Sequence, residues 1–219
     1  MKVIAKIHTD FPTKFGIPRQ SGLIEELKGR IVFEPEFRSP DAIRGLDGFS
    51  HIWLLWKFNT PESIKSLTVR PPKLGGNVRM GVFATRSPFR PNNIGLSCVK
   101  LEKIDGNELI VLGADLMNGT EIVDIKPYIP YADCHPDAVG GFSKDGSDRL
   151  KVVIPDSLLS VFPESKQSAL IKVLELDPRP QYQNDPDRVY GFNFAGFEIR
   201  FTDDNGTLFV KELKKFTGC

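Results

Sequence analysis

The chain has 219 residues, of which 40% are hydrophobic and 26% are charged, as in an ordinary soluble protein long enough to bury a core. Lys and Arg number 29 against 28 Asp and Glu, so the formal net charge is +1. This balance excludes a protein that coats polyanions over its whole surface, although it leaves room for a local basic face.

The cysteines favour a reducing compartment. The three cysteines are Cys98, Cys134 and Cys219, and no Cys-x-x-Cys pair occurs. This pattern disfavours a disulfide framework and a cysteine zinc site. The start of the chain, MKVIAKIHTDFPTKF, lacks the apolar core of a secretion signal. The longest apolar run, 52–56, is far shorter than the ~20 residues of a membrane helix. We therefore expect a soluble, cytoplasmic protein.

The first two-thirds of the chain predict mainly β structure. Short segments rich in branched and aromatic residues are predicted as strands at 3–8, 30–34, 51–58, 80–85, 94–104, 108–114 and 121–125. Asp105-Gly106 is a turn pair that would make a hairpin of residues 94–114. A short helix is predicted from Ser39 to Leu46, which Ser39 can cap. Many short strands between Gly and Pro turns predict a barrel-like N-terminal domain over residues 1–135.

A composition break at 132–149 predicts an exposed loop that leads to a small α+β C-terminal domain over residues 150–219. This domain would open with a strand at 152–154 and continue with helices started by Asp156 and Pro163. Leu170, Ile171, Val173 and Leu174 are predicted to share one side of the second helix, which ends before Pro178 and Pro180. Strands at 197–202 and 208–213 follow, joined by the hairpin turn Asp203-Asp204-Asn205-Gly206.

Common catalytic motifs are absent from the sequence. It contains no G-x-G-x-x-G after a strand, no P-loop and no G-x-S-x-G, which disfavours a Rossmann or P-loop nucleotide site and a serine hydrolase. His8, His51 and His135 have no metal-ligand spacing, so no metal site is predicted. His51 is interpreted as a structural histidine with a backbone partner at the start of a strand.

The segment RMGVFATRSPFRPNNIG, residues 79–95, concentrates hydrogen-bonding side chains between two apolar runs. Arginine offers a planar fork of donors that suits a carboxylate or phosphate, and asparagine offers a donor and an acceptor. Pro88 and Pro91 stiffen the loop and so lower the entropic cost of binding. The alternative is a rigid surface turn with solvated arginines.

Further segments accompany this one in a fixed order: FGIPRQSG at 15–22, FSHIW at 49–53, TVRPPKLGGNVRM at 68–80, ADLMNGTEIVDIKPYIPYAD at 114–133 and DPRPQY at 177–182. Together they resemble the TsaA-like family over nearly the whole chain. The resemblance implies a homodimer whose barrel binds S-adenosylmethionine without a Rossmann fold. It also implies methyl transfer to N6 of threonylcarbamoyl-adenosine, next to the anticodon of threonine tRNA.

The resemblance also implies which residues bind the cofactor: Pro18, Arg19, Gln20, Asn59, Thr60, Arg86, Leu96, Asp115, Leu116, Met117, Asn118, Gly119 and Thr120. Asn59-Thr60 stands where relatives often have His-Gln, and Asn118 stands where they have Asp. An arginine suits the cofactor's carboxylate, and Asp115 can accept hydrogen bonds from its ribose hydroxyls or its ammonium. The alternative for Asp115 to Thr120 is a plain hairpin turn, since Asn-Gly is a turn pair.

An anticodon-loop substrate requires phosphate contacts and stacking surfaces. The candidates are Arg70, Lys73, Arg79, Arg90 and Lys126 in the first domain, with Arg179 and Tyr182 of DPRPQY in the second. For the DPRPQY segment, the alternative is that Asp177 and Arg179 only cap the helix and pair with each other. The catalytic residue is left unassigned: Asp124 can take the proton from N6, or it can form a salt bridge with Lys126. The alternative functions are a methyltransferase with a small-molecule acceptor and a non-catalytic cofactor-binding or RNA-binding regulatory module.

Overall fold

The computed structural model describes residues 1–59, 66–143, 149–179, 185 and 188–216. Thr60 and Tyr182, two of the predicted site residues, lie outside this part of the chain. Within it, every helix is too short or too polar to cross a bilayer.

The N-terminal part of the chain forms a closed barrel of antiparallel strands, as its sequence predicts. Its elements are β1 (Ala5–His8), β2 (Lys28–Phe33), β3 (His51–Lys57), β4 (Thr68–Val69), β5 (Met80–Gly81), β6 (Ile94–Asp105), β7 (Glu108–Leu112), β8 (Thr120–Pro127) and the helix α1 (Pro130–Asp133). The barrel order is β1-β2-β7-β6-β3-β8, with β8 pairing back onto β1, while β4 and β5 form a separate two-stranded sheet.

Alternation along the strands decides which side chains fill the barrel. In β3, Ile52, Leu54 and Trp56 are buried in the core, while the residues between them are half-buried on the outer surface. In β6, Gly95, Ser97 and Val99 are buried in the same alternation, so Leu96 and Cys98 face outward. The interior is therefore apolar except where Ser97 enters it.

The C-terminal part is a small α+β unit. Its elements are β9 (Lys151–Val153), α2 (Asp156–Leu159), α3 (Glu164–Glu175), β10 (Tyr190–Phe194), β11 (Phe197–Asp204) and β12 (Thr207–Lys215). The sheet order is β10-β11-β12-β9, antiparallel except for the β12–β9 pair. These findings confirm the predicted fold class, which is mainly β with an α+β tail.

The core of the C-terminal unit also includes residues from the barrel half of the chain. Phe11, Ile24 and Leu27 belong to the same apolar cluster as α3 and the C-terminal sheet. The ring of Phe11 lies 4.9 Å from that of Phe194. Residues 9–27, called the bridging segment below, therefore leave the barrel after β1, pack on the C-terminal unit and return as β2.

Several predicted elements differ from the structure. The strand expected at 80–85 ends at Gly81, and Val82–Ala84 form a 3-10 turn that is closed by a hydrogen bond from the Thr85 N–H to the Val82 carbonyl at 3.2 Å. The helix expected from Ser39 to Leu46 is a 3-10 turn over Pro40–Ile43, interrupted by Gly45 at a φ of 82°.

Helix α3 is buried along a slightly different face than predicted. Leu170, Val173 and Leu174 are buried together with Ala169, whereas Ile171 is only half-buried at the edge of that face. The structure also contains α1 and β10, which the sequence analysis did not predict.

Candidate functional site

The arginine of the ATRSPFRP loop is joined to the bridging segment. Arg86 is exposed, and its Nη1 donates a hydrogen bond to Oε1 of Gln20. Pro18 is buried and Arg19 is exposed beside it. Two segments separated by more than 60 residues are thus brought together as predicted, with a guanidinium and an amide on the same surface.

A chain of hydrogen bonds runs from the barrel core to Asp115. Nε1 of Trp56 donates to Oγ of Ser97 at 3.0 Å, and Oγ of Ser97 donates to Oδ1 of Asp115 at 2.6 Å. Ser97 is 1% exposed, so the bond from Trp56 is shielded from water, while the bond to Asp115 is partly shielded. Gly95 makes room for the indole, since a Cβ there would lie 2.3 Å from the Trp56 ring.

Opposing effects act on the pKa of the Asp115 carboxyl. Burial raises the pKa of the Asp115 carboxyl above its ordinary value. The hydrogen bond from Ser97, backbone hydrogen bonds from Asp115 itself and Ser21, and the positive charge of Arg86 lower it in turn. Asp115 is therefore a half-buried carboxyl held beside an arginine, an environment characteristic of ligand sites.

The bridging segment is also tied to the strands that carry this cluster. Oγ of Ser21 accepts a hydrogen bond from the Cys98 N–H at 3.0 Å, and the Gly22 N–H donates to the Gly113 carbonyl at 2.9 Å. The cluster of Gln20, Ser21, Arg86, Ser97 and Asp115, called the polar cluster below, therefore joins four separate stretches of the chain.

Residues 116–120 form a tightly bonded turn. The Leu116 side chain is buried in the barrel core, and Oδ1 of Asn118 accepts from the Thr9 N–H at 3.2 Å. The Gly119 N–H bonds to the Ile7 carbonyl at 2.8 Å, and Oγ1 of Thr120 bonds to the Met117 carbonyl at 2.7 Å. The turn is not the hairpin considered as the alternative, because β7 and β8 are not neighbours in the barrel, and most of these contacts run to β1 and the residue after it.

Two other predicted cofactor residues lie at the ends of strands beside the polar cluster. Leu96 is 49% exposed, and it follows Gly95 on β6, where it pairs with Leu55. Asn59 is exposed just after the end of β3. The preceding residue, Phe58, donates a hydrogen bond from its N–H to the Asn93 carbonyl at 2.8 Å.

The predicted RNA-contacting residues of the first domain have intramolecular partners. Nη1 of Arg79 bonds to Oγ1 of Thr68 at 2.9 Å, and Nη1 of Arg90 bonds to the Thr85 carbonyl at 3.0 Å. Lys126 lies 2.8 Å from Asp124, which is the salt bridge considered as the alternative for that carboxylate. His51 bonds through Nδ1 to the Ser50 hydroxyl at 2.9 Å rather than to a backbone partner.

Arg179 is the most constrained of these candidates. Its Nε and Nη2 bond to the two carboxylate oxygens of Asp177 at 2.6 and 2.9 Å, and its Nη1 lies 2.5 Å from Oδ2 of Asp203. The hydrogen bond that Arg179 donates to Asp177 is the main cause that raises the pKa of Arg179. The pairing with Asp177 is the contact expected of the structural alternative, and Asp203 adds a second carboxylate.

The sequence analysis missed Trp56, Ser97 and Ser21. Ser97 occupies an inward position between Gly95 and Val99, and a hydroxyl at such a position requires a buried partner. That pattern predicts a polar contact inside the barrel, but the partner Asp115 is distant in sequence and only the fold reveals it. Among the described residues, no group of three or more His, Cys, Asp and Glu is placed to hold a metal.

The fold and the polar cluster define a class of protein: an antiparallel barrel that presents an arginine, an amide and a half-buried carboxylate without a Rossmann sheet. Two family models match this chain: the tRNA-methyltransferase O N-terminal domain over residues 6–134, and the TrmO C-terminal domain over residues 150–216. The chain belongs to the tRNA-methyltransferase O family, which confirms the resemblance found in the sequence.

Curated relatives and solved structures agree with this assignment. The chain is 38% identical to the tRNA (adenine(37)-N6)-methyltransferase of Escherichia coli K12, over 95% of this chain and 96% of that protein. It is 39% identical to the putative S-adenosylmethionine-dependent methyltransferase RcsF of Pseudomonas aeruginosa, over 90% of each chain. A crystal structure of TrmO from Pseudomonas aeruginosa superposes with a TM-score of 0.77 at 30% identity, covering 97% of this chain and 98% of that one.

Proposed function

We propose that this protein is an S-adenosylmethionine-dependent tRNA methyltransferase that methylates N6 of threonylcarbamoyl-adenosine next to the anticodon of threonine tRNA. Family membership and the activity for which the Escherichia coli relative is named support the reaction. The observation that carries the site is the polar cluster, in which Arg86 and Asp115 present opposite charges at one end of the barrel.

The donor set fits S-adenosylmethionine. The methionyl part of the cofactor carries a carboxylate and an ammonium, so Arg86 pairs with the carboxylate and Asp115 accepts from the ammonium. Pro18, Arg19 and Gln20 would form the adjoining wall, and Leu96 would supply apolar surface. Met117 and the backbone at Gly119 would hold the adenine, while Asn59 and Thr60 would complete the set.

The residues act mainly by alignment. When bound, the cofactor would supply a methyl group on a positively charged sulfur. The rest of the cofactor, a neutral thioether, is the leaving group when N6 takes the methyl group. Arg86 is directed to the carboxylate end, away from the sulfonium, since two positive charges side by side would repel. Holding N6 in line with the methyl group is the principal contribution expected of the protein. The group that accepts the N6 proton stays unassigned, because Asp124 is paired with Lys126.

We propose a cytoplasmic homodimer with a cofactor site near the interface, as the family resemblance implies. We also propose a functional division into a cofactor-binding domain at 1–135 and a tRNA-docking domain at 150–219. The bridging segment would then carry contacts between the two.

Calorimetry with S-adenosylmethionine tests the cofactor site directly. Arg86→Ala removes a charge-assisted hydrogen bond and should weaken binding by about 1.5–3 kcal/mol. Arg44→Ala is the matched control, since Arg44 is an exposed arginine that pairs with Asp41 outside the cluster. Unchanged affinity in a folded Arg86→Ala protein would exclude Arg86 from the site.

Mass spectrometry of threonine tRNA tests the reaction. Cells that lack the gene should contain the unmethylated threonylcarbamoyl-adenosine, and the purified protein should restore the methyl group with S-adenosylmethionine. Cofactor binding without any RNA methylation would favour a small-molecule acceptor or a non-catalytic module instead.

A further inference from the structure

A cleft of about 290 Å³ lies between the bridging segment and the C-terminal sheet. It is lined by Phe15, Pro178, Arg179, Arg188, Val189, Tyr190, Gly191 and Phe201. Its volume is close to the lower end of small-ligand pockets, roughly 300–1,000 Å³, so it suits one nucleotide rather than a protein segment.

Two arginines flank Tyr190 in this cleft, and they differ in their ion pairs with carboxylates. The guanidinium carbons of Arg179 and Arg188 lie 5.8 and 5.6 Å from the Tyr190 ring centre. Arg179 is held by two carboxylates, so it shapes the wall without offering charge. Arg188 is exposed, and no carboxylate of the described residues pairs with it.

The opposite rim of the cleft is aromatic. Phe15 is 52% exposed, and the ammonium of Lys14 lies 5.6 Å from its ring centre. An exposed aromatic ring beside positive charge is the combination that stacks unpaired bases and attracts their phosphates.

The cleft is physically linked to the polar cluster. Gly16 has a φ of 82° and packs against Phe192, where a Cβ would lie 2.3 Å from the ring, so the segment is held tightly on the C-terminal sheet. Four residues later, Gln20 contacts Arg86. Five residues from Phe15 to Gln20 span at most roughly 18 Å of chain, so both sites lie within the reach of one RNA loop.

We propose that this cleft binds one unpaired nucleotide of the RNA substrate, with its base stacked on Phe15 and its phosphate paired with Arg188. The proposal rests on the proposed function and moves the RNA contact of the C-terminal unit from Arg179, which is neutralised, to Arg188. Base stacking supplies affinity that tolerates sequence differences, and the arginine fixes the strand direction.

The test uses the full-length protein and a synthetic anticodon stem-loop of threonine tRNA, with binding followed by fluorescence anisotropy at several salt concentrations. Arg188→Gln should weaken binding and lower the slope of log K against log salt by about 0.7, the value for one phosphate contact on a single strand. Arg200→Gln is the matched control, because Arg200 is an exposed arginine of the same sheet that pairs with Glu198 and Glu212.

The aromatic contact has its own pair of variants. Phe15→Leu should weaken stem-loop binding by about 5- to 150-fold, the loss expected for one stacked base. Phe15→Tyr keeps the ring and should bind like the parent.

The outcomes separate this inference from the proposed function. S-adenosylmethionine affinity should be unchanged in all of these variants, since each replaces an exposed side chain outside the polar cluster and leaves the buried anchor of the bridging segment, Phe11, in place. If the parent methylates tRNA but Arg188→Gln and Phe15→Leu bind the stem-loop as the parent does, the cleft is not an RNA site. If the parent neither binds nor methylates tRNA, the proposed function fails and this inference fails with it.

Discussion

At the scale of single residues, Ser97 has the most specific role in the site. Its hydroxyl accepts a hydrogen bond from Trp56 and donates one to Asp115, so it fixes the position of the carboxylate relative to the barrel core. A serine is small enough to fit the interior and polar enough to make both bonds. The proposed cofactor site would therefore depend on a residue that need not touch the cofactor.

Ser97→Ala should weaken S-adenosylmethionine binding at neutral pH by about tenfold or more, the loss expected for a hydrogen bond to a charged group. Since the Ser97 hydrogen bond lowers the pKa of Asp115, its removal raises that pKa further. Binding should then recover at higher pH, which calorimetry across a pH series would detect. Ser97→Thr keeps the hydroxyl and should keep the pH profile. A purely structural role predicts weaker binding with an unshifted profile.

Asp115 should stabilise binding at a cost to the free protein. Because burial raises its pKa, the folded state favours the protonated carboxyl, so stability falls as the pH rises from the ordinary aspartate pKa through the raised one. Asp115→Asn removes the charge and should flatten this part of the stability profile while abolishing most cofactor affinity. Urea unfolding at several pH values, paired with calorimetry, measures both. A variant that loses stability at neutral pH and keeps its affinity would contradict the assignment.

At the scale of elements, alternation of side chains predicted the barrel strands well, because it reports directly on burial. It failed at 80–85, where Val82–Ala84 are apolar but their backbone forms a turn closed by the Thr85 N–H and the Val82 carbonyl. The segments of the site were predicted from their residues, whereas their bonding partners were not. The two carboxylates around Arg179 show why: Asp177 is a neighbour in sequence, but Asp203 comes from β11 and only the fold brings it close.

The bridging segment should couple the stability of the C-terminal unit to cofactor binding. Phe11 is 1% exposed in the C-terminal core, so Phe11→Ala should lower the free energy of unfolding by about 3–5 kcal/mol. It should also weaken S-adenosylmethionine binding, because the same segment carries Gln20.

Phe197→Ala is the matched control for this coupling. Phe197 is 6% exposed and packs on Phe162 in the same core, but it lies outside the bridging segment. It should destabilise the protein without changing cofactor affinity in conditions where the chain is folded. Equal effects of the two variants on calorimetric affinity would show that the segment has no special role.

At the scale of the whole molecule, apolar side chains collect around the Arg86 loop. Phe83 is 78% exposed, Phe89 is 60% exposed and Leu67 is 67% exposed, while the Val82 N–H joins the loop to Leu67. Monomeric proteins rarely leave large contiguous apolar patches in water. Arg86 lies between the two phenylalanines in sequence, so a surface that covers both also covers the arginine end of the polar cluster.

The proposed homodimer should therefore use this patch. Phe83→Asp combined with Phe89→Asp places charges in an apolar interface and should give monomers in light scattering, with weaker S-adenosylmethionine binding because the site is left open on one side. Val161→Asp is the control, since Val161 is 56% exposed on the C-terminal unit and should leave the dimer intact. Dimers that persist in the double variant would place the interface elsewhere. A parent protein that stays monomeric at every working concentration, with full methylation activity, would show that one chain forms the complete site.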